Sequence, residues 1–180
     1  MIDLSRYTGI CLLALTVIGW LSCTQQRQPC LTPKIATLSI ETIHFPTDTS
    51  TTPVDTAIPA ATFIPVVPGK DTQLVTTYPQ QATFTLSLSP DSTICQWIFT
   101  TDSIQYVHLY HSDTLTFYYQ RNLQFLPNAC GYTYFYTLDS VHHATSSPSY
   151  PIIDSIHIIN TSVTNNVNTK HLQIYIHPDF

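Results

Sequence analysis

The sequence predicts an all-β protein: an antiparallel β-sandwich of about seven to nine strands after an N-terminal signal segment. Three observations carry this. Thr, Ile, Val, Tyr and Phe dominate the non-loop residues, which is the composition of pleated, half-buried strands. Phe84, Leu86 and Leu88 alternate with Thr83, Thr85 and Ser87 at a period of two, and turn residues recur every ten residues or so. Beyond residue 23, no window repeats apolar residues at i, i+3, i+4 and i+7 over three turns, so helix is not expected. A sandwich is favoured over a barrel because several strands are amphipathic whereas Ile94–Phe99 is apolar on both faces.

The chain opens with Arg6 and an uncharged apolar run, Ile10–Leu21. That run is shorter than the roughly 20 residues a bilayer core demands, and it fits the central region of a secretory signal. Leu21-Ser22-Cys23 resembles the lipobox of bacterial lipoproteins, which implies that Cys23 is acylated and becomes the first residue. A plain cleaved signal with an incidental Cys is the alternative. A buried core helix is disfavoured by the polar, turn-rich Thr24–Pro29 that follows. Three regions are expected: a signal peptide over 1–22, a tether over 23–33 and one β-sandwich domain over 34–180.

The elements follow in order. Lys34–Phe45 reads as a first strand with Ala36, Leu38 and Ile40 on one face. The apolar register then moves to Ile43 and Phe45, which suggests a bulge near Glu41-Thr42. Pro46–Thr62 is a Pro/Thr-rich loop. A short strand is expected at Thr62–Val67, then a Gly69-Lys70-Asp71 turn into Thr72–Thr76. Ala82–Leu88 is a half-buried strand, Pro90-Asp91-Ser92 a turn, and Ile94–Thr100 a central strand. His111-Ser112-Asp113 reads as a hairpin turn between Ser103–Tyr110 and Thr114–Gln120, the latter continuing after a kink to Phe125. Pro127–Gly131 breaks the chain before a strand at Tyr132–Leu138, and His143–Pro151 is a loop. Asp154–Val163 and His171–His177 form a last pair, with Leu172, Ile174 and Ile176 inward.

The order of features resembles a family of small Bacteroidota lipoproteins known as a domain of unknown function. The matching residues are Cys23 with Cys30 close behind, the strand-turn Phe84–Pro90, the aromatic run Leu115–Tyr119, Pro127–Tyr132 and the Ile-rich close. The resemblance implies an envelope location and a β-sandwich; it implies no activity.

Charged residues make up only 9% of the chain, against about 25% in an average domain, and the net charge is −5. Nucleic acid is therefore not an expected partner, since its phosphates call for clustered Lys and Arg. Cys30, Cys95 and Cys130 remain after the lipid-bearing Cys23, in a compartment where disulfides persist. Cys95 shares a face with Trp97 and Phe99 and reads as core; Cys30 and Cys130 lie in turn context beside Pro29 and Gly131 and are expected to bridge. The eight His lack zinc-type spacing, so they read as surface residues and no metal or cofactor is expected.

Tyr132, Tyr134 and Tyr136 fall on one strand face, either as cross-strand packing or as a platform for a sugar ring or partner strand. Six Asp-Ser/Thr pairs resemble the Asp-Ser/Thr-aliphatic sequon of Bacteroidota O-glycosylation, with Thr56, Ser92, Ser103, Thr114, Ser140 and Ser155 as candidate acceptors. The same pairs also close turns before strands. With one Glu and most Asp in such pairs, no catalytic residue is nominated. The expected role is a non-enzymatic binding or structural module on the periplasm-facing side of the outer membrane, held by acylated Cys23 and meeting an unidentified envelope protein or glycan. A glycan-binding lipoprotein using the Tyr-rich face is one alternative. A hydrolase pairing an Asp with a His such as His108 or His157 is the other.

Overall fold

The computed structural model describes residues 30, 33–44, 54–55, 57–58, 61–69, 76–78, 81–102, 110–127, 130–146 and 151–176. Among these there is no helix, and eleven strands form two sheets. The strands are β1 (Thr37–His44), β2 (Val54–Asp55), β3 (Ala61–Val66), β4 (Thr76–Tyr78), β5 (Thr83–Ser87), β6 (Ile94–Asp102), β7 (Tyr110–Phe125), β8 (Tyr132–Thr145), β9 (Ile153–Ile158), β10 (Ser162–Val163) and β11 (Leu172–Ile176). The first sheet runs β2-β1-β11-β9, with β5 also paired to β1; the second runs β10-β8-β7-β6-β3-β4. The sandwich read from the sequence is the fold observed.

The core lies between the sheets. Leu38, Ile40, Phe84, Leu86, Leu172 and Ile174 project from the first sheet; Phe63, Phe99, Leu115, Phe117 and Leu138 meet them from the second. Phe63 joins the layers, tilted against Phe84 at 5.2 Å between ring centroids and stacked on Phe99 at 4.9 Å. All three rings are fully buried.

One pairing departs from antiparallel order. β1 and β11 run parallel, Ile40 opposite Leu172 and Ile43 opposite Tyr175. Parallel neighbours need a long connection, and here nearly the whole domain supplies it. β1 carries no bulge: its pairing with β5 steps evenly from Thr37↔Ser87 to Glu41↔Thr83. Thr42 misled the pattern because it is polar at an inward position. Its amide and hydroxyl both donate to the Ala82 carbonyl, at 2.8 and 3.2 Å, so the alternation continues unbroken.

The hairpin turn expected at His111-Ser112-Asp113 is also absent. These three residues lie inside β7, opposite Thr101, Thr100 and Phe99. Asp113 acts at long range instead: its buried Oδ2 accepts the amides of Ile152 and Ile153 at 3.1 and 2.9 Å. The kink in β7 is a register shift against β8 between Tyr118 and Tyr119. β8 runs on to Thr145 through what read as the start of a loop. β3 leads to Gly69 at φ +75° and pairs with Thr76–Tyr78; residues 70–75, where the rest of the expected turn and most of the expected strand fall, lie outside the described residues. The stretch Asp154–Val163 divides between sheets: β9 pairs with β11, and β10 crosses over to β8.

Candidate functional site

Two regions of the surface depart from a plain sandwich. The first is an open groove of about 510 Å³ between the end of β3 and the β5–β6 turn. It is lined by Val67 and Pro68 after β3, by Leu88 and Ser89 after β5, and by Ile94, Cys95 and Trp97 of β6. Pro65 tolerates its place in β3 because β4 pairs only with Ala61–Phe63, leaving Pro65 beyond that ladder. Among the described residues, no Asp, Glu, Lys, Arg or His lines the groove. Cys95 is the one titratable side chain among its described lining residues, and burial pushes the thiol pKa up; contacts with the Tyr119 hydroxyl, the Ser89 backbone and Trp97 offset this in part. A thiol so held stays protonated and is a poor nucleophile at neutral pH.

Tyr119 fixes the turn above the groove. Its hydroxyl accepts the Ser89 amide and donates to the Ser89 carbonyl, both at 3.0 Å. Tyr136 reaches the Leu88 carbonyl at 3.3 Å and packs edge-on against Tyr119. Burial raises both phenol pKa values. Arg121 donates to the Pro90 carbonyl on the same turn.

The second region is the end of the domain where the chain comes in. Cys30 and Cys130 are joined in a disulfide, with Cα atoms 5.0 Å apart. Cys130 sits in the tight turn of the β7–β8 hairpin, closed by its amide to the Pro127 carbonyl at 2.7 Å and by the Leu126 amide to the Gly131 carbonyl at 2.8 Å. Gly131 adopts φ +76°, a conformation that costs a residue with a Cβ about 1–2 kcal/mol. Two further contacts bind the incoming segment: Thr133 donates to the Lys34 carbonyl, and Asn165 donates to the Pro33 carbonyl at 2.9 Å. The hairpin tip projects past β6, whose ladder to β7 begins at Ile94↔Tyr118.

The tyrosine face is graded rather than flat. Tyr136 is 6% exposed and belongs to the core, Tyr134 is half-buried, and Tyr132 is 64% exposed. Tyr132 and Tyr134 meet edge-to-face at 86°, so they offer no coplanar pair of rings. Of the candidate glycan acceptors, Ser155 is exposed on β9, the outer strand of its sheet. Thr114 and Ser140 are half-buried within β7 and β8. Ser92 closes a local turn, donating to the Ile94 carbonyl at 2.7 Å and accepting its amide. Thr56, Ser103, Cys23, His108 and the signal segment lie outside the described residues.

His142, His143 and His157 are exposed, as a surface reading expects. His171 is the correction: it is fully buried at the entrance to β11. Its Nδ1 accepts the Ser39 amide at 3.0 Å, leaving Nε2 to donate to the Ser162 carbonyl at 3.2 Å. Burial lowers its pKa, partly offset by the Ser162 bond. His157 packs edge-on to Tyr175 on the outer strand, away from the groove. Among the described residues, no three His, Cys, Asp or Glu side chains gather as metal ligands. Sequence patterning missed His171 and Asp113 because their partners are far away in the chain. It missed the groove because two separated turns build it.

Residues 60–176 match the family of unknown function DUF6452. The chain belongs to that family. No curated protein and no solved structure matches it. The family match begins at the end of the loop preceding β3, so β1 and the disulfide partner Cys30 fall before it, while the groove and the β7–β8 hairpin fall within it.

Proposed function

We propose that this DUF6452 member is a lipid-anchored cell-envelope protein, facing the periplasm from the outer membrane, whose domain binds another envelope component without chemical turnover. The observation that carries the binding role is the groove. It offers apolar walls, one half-buried Trp and a protonated thiol, and no charged side chain among its described lining residues. General acid–base catalysis needs positioned proton donors and acceptors, whereas a binding cleft is mostly apolar with a few polar groups. The anchor reading is supported by the short apolar run ending in Leu21-Ser22-Cys23 and by the tie between Cys30 and the domain.

A glycan ligand is the second reading, and Trp97 favours the groove for it over the tyrosine face. One aromatic residue in a groove also lined by Ser87, Ser89, Ser92 and Gln96 suits a sugar ring. After cleavage before Cys23, Trp97 is the sole tryptophan of the chain, so its emission reports the groove directly. Titration with envelope oligosaccharides should shift that emission in a saturable way if the ligand is a glycan. A shift with an extracted envelope protein and none with oligosaccharides would favour a protein partner; no shift with either would remove the groove as the binding site. Intact mass of the membrane-extracted protein tests the anchor: acyl mass on a chain beginning at Cys23 is the expected result.

A further inference from the structure

We infer that the disulfide end of the domain lies on the lipid surface, with the β7–β8 hairpin tip seated in the headgroup region. This rests on the anchor reading above and adds an orientation and a contact surface to it. The four most exposed large apolar side chains among the described residues are Phe125 at 81%, Ile35 at 67%, Val167 at 66% and Tyr132 at 64%. They come from three separate segments of the chain yet gather at one end. Phe125 pairs with Tyr132 across the hairpin. Ile35 follows Lys34, which Thr133 holds, and Val167 lies two residues past Asn165, which holds Pro33.

The tether ends at the same place. Seven residue steps separate Cys23 from Cys30, a reach of at most about 25 Å. Because Cys30 is bonded to Cys130 in the hairpin turn, the tip stays close to any membrane that holds Cys23. Charge follows the same division. Arg27, Lys34, Arg121 and Lys170 lie in the tether, the hairpin or the β10–β11 segment, which leaves only Lys70 elsewhere after Cys23. No Asp or Glu falls in 24–36, 121–136 or 160–171. Lys170 is paired with Glu41 of β1, and Arg121 stands by the Pro90-Asp91 turn, so Lys34 is the described cation placed to meet anionic headgroups, and in sequence the tether adds Arg27. A hairpin with exposed Phe and Tyr, neighbouring cations and no carboxylate is chemically matched to the bilayer interface, where aromatic rings and Lys/Arg concentrate. A protein partner covering the same patch is the competing occupant, and the test separates the two.

The test places tryptophan at Phe125 in the full, membrane-extracted protein, reconstituted into vesicles of phosphatidylcholine and phosphatidylglycerol with or without bromine on the upper acyl carbons. Trp97 serves as the built-in reference, Val167→Trp as a second reporter at the same end, and Ala144→Trp as a control at the far end of β8, roughly 40 Å along the strand. Emission from Trp at 125 and 167 should fall to about half or less in brominated vesicles, with Ala144→Trp and Trp97 little changed, as for a side chain lying 5–10 Å into the interface. Unquenched emission at both 125 and 167, or equal quenching at 144, overturns the inference. Intact mass on the same sample reads the anchor separately. An acylated protein with no quenching rejects the membrane contact alone, and a quenched but unacylated one rejects the anchor alone.

Discussion

His171 is a neutral side chain held where the two sheets are stitched together. The Ser39 amide requires a lone pair on Nδ1, and burial disfavours the charged ring. The folded-state pKa therefore lies below the ordinary 6.5, while the unfolded chain takes up its proton near 6.5. Below that pH the unfolded state binds more protons, so stability falls on acidification from about pH 6.5 and levels off once the folded-state pKa is passed. His171→Gln should reduce this acid sensitivity and cost roughly 1–3 kcal/mol at neutral pH, since the Ser39 amide loses its acceptor. Denaturant midpoints at pH 7.5 and 5.5 check it: equal loss in both proteins would remove the assignment. The position gave no signal in the sequence, where His171 reads as one of eight histidines in a polar chain. Its role depends on Ser39, 132 residues away. Asp113 is the same case, since Ser112-Asp113 has turn chemistry until Ile152 and Ile153 supply two amides to it.

At the level of the element, the β7–β8 hairpin organises the second sheet and carries the link to the tether. Its register holds from Phe125↔Tyr132 to Asp113↔Thr145 with one shift, and Gly131 sets its turn. The Cys30–Cys130 bridge closes a loop of 100 residues, worth up to about 4–5 kcal/mol in the chain-entropy account. Cys130→Ser should lower stability by an amount approaching that. It should also open the Lys34–Ile35 bond to trypsin, because only the Thr133 and Asn165 hydrogen bonds to Lys34 and Pro33 then retain that segment. Wild type should be cut at Arg27 and spared at Lys34; cutting at Lys34 in both would mean that the bridge does not hold the lead. Turn residues announced this hairpin correctly at Pro127–Gly131. They announced a false one at His111–Asp113, because a local signal cannot distinguish a turn from a strand whose polar residues find distant partners.

For the whole molecule, cohesion comes from one interlayer core in which Phe63 packs against Phe84 of the facing sheet and Phe99 beside it in its own. Phe63→Ala should cost about 3–5 kcal/mol, read as a drop in denaturation midpoint, because a ring enclosed on both sides leaves a cavity that neighbouring strands cannot close. A loss under about 1 kcal/mol would place the centre of the core elsewhere. The first sheet closes through the parallel β1–β11 pair, which brings the start and the end of the domain side by side. That closure carries the lead to the hairpin tip and the β10–β11 segment, so the apolar side chains, the cations and the disulfide share one end.

The sequence alone determined what depends on neighbours close in the chain. Alternation at Phe84–Leu88 and Leu172–Ile176 set strands with a known inward face, and β composition with regular turns set the sandwich class. Turn signals also announced the β7–β8 and β9–β11 neighbours; only the tertiary structure decided the rest of the strand order, that β1 and β11 are parallel, and that Asp154–Val163 serves two sheets. It alone brought Cys95 and Trp97 under the Ser89 turn, and Ile35, Phe125, Tyr132 and Val167 to one end. The physical reason is range. Periodicity and turn chemistry act over a few residues, whereas buried polar partners, grooves and surface patches are made by segments that meet only when the sheets pack.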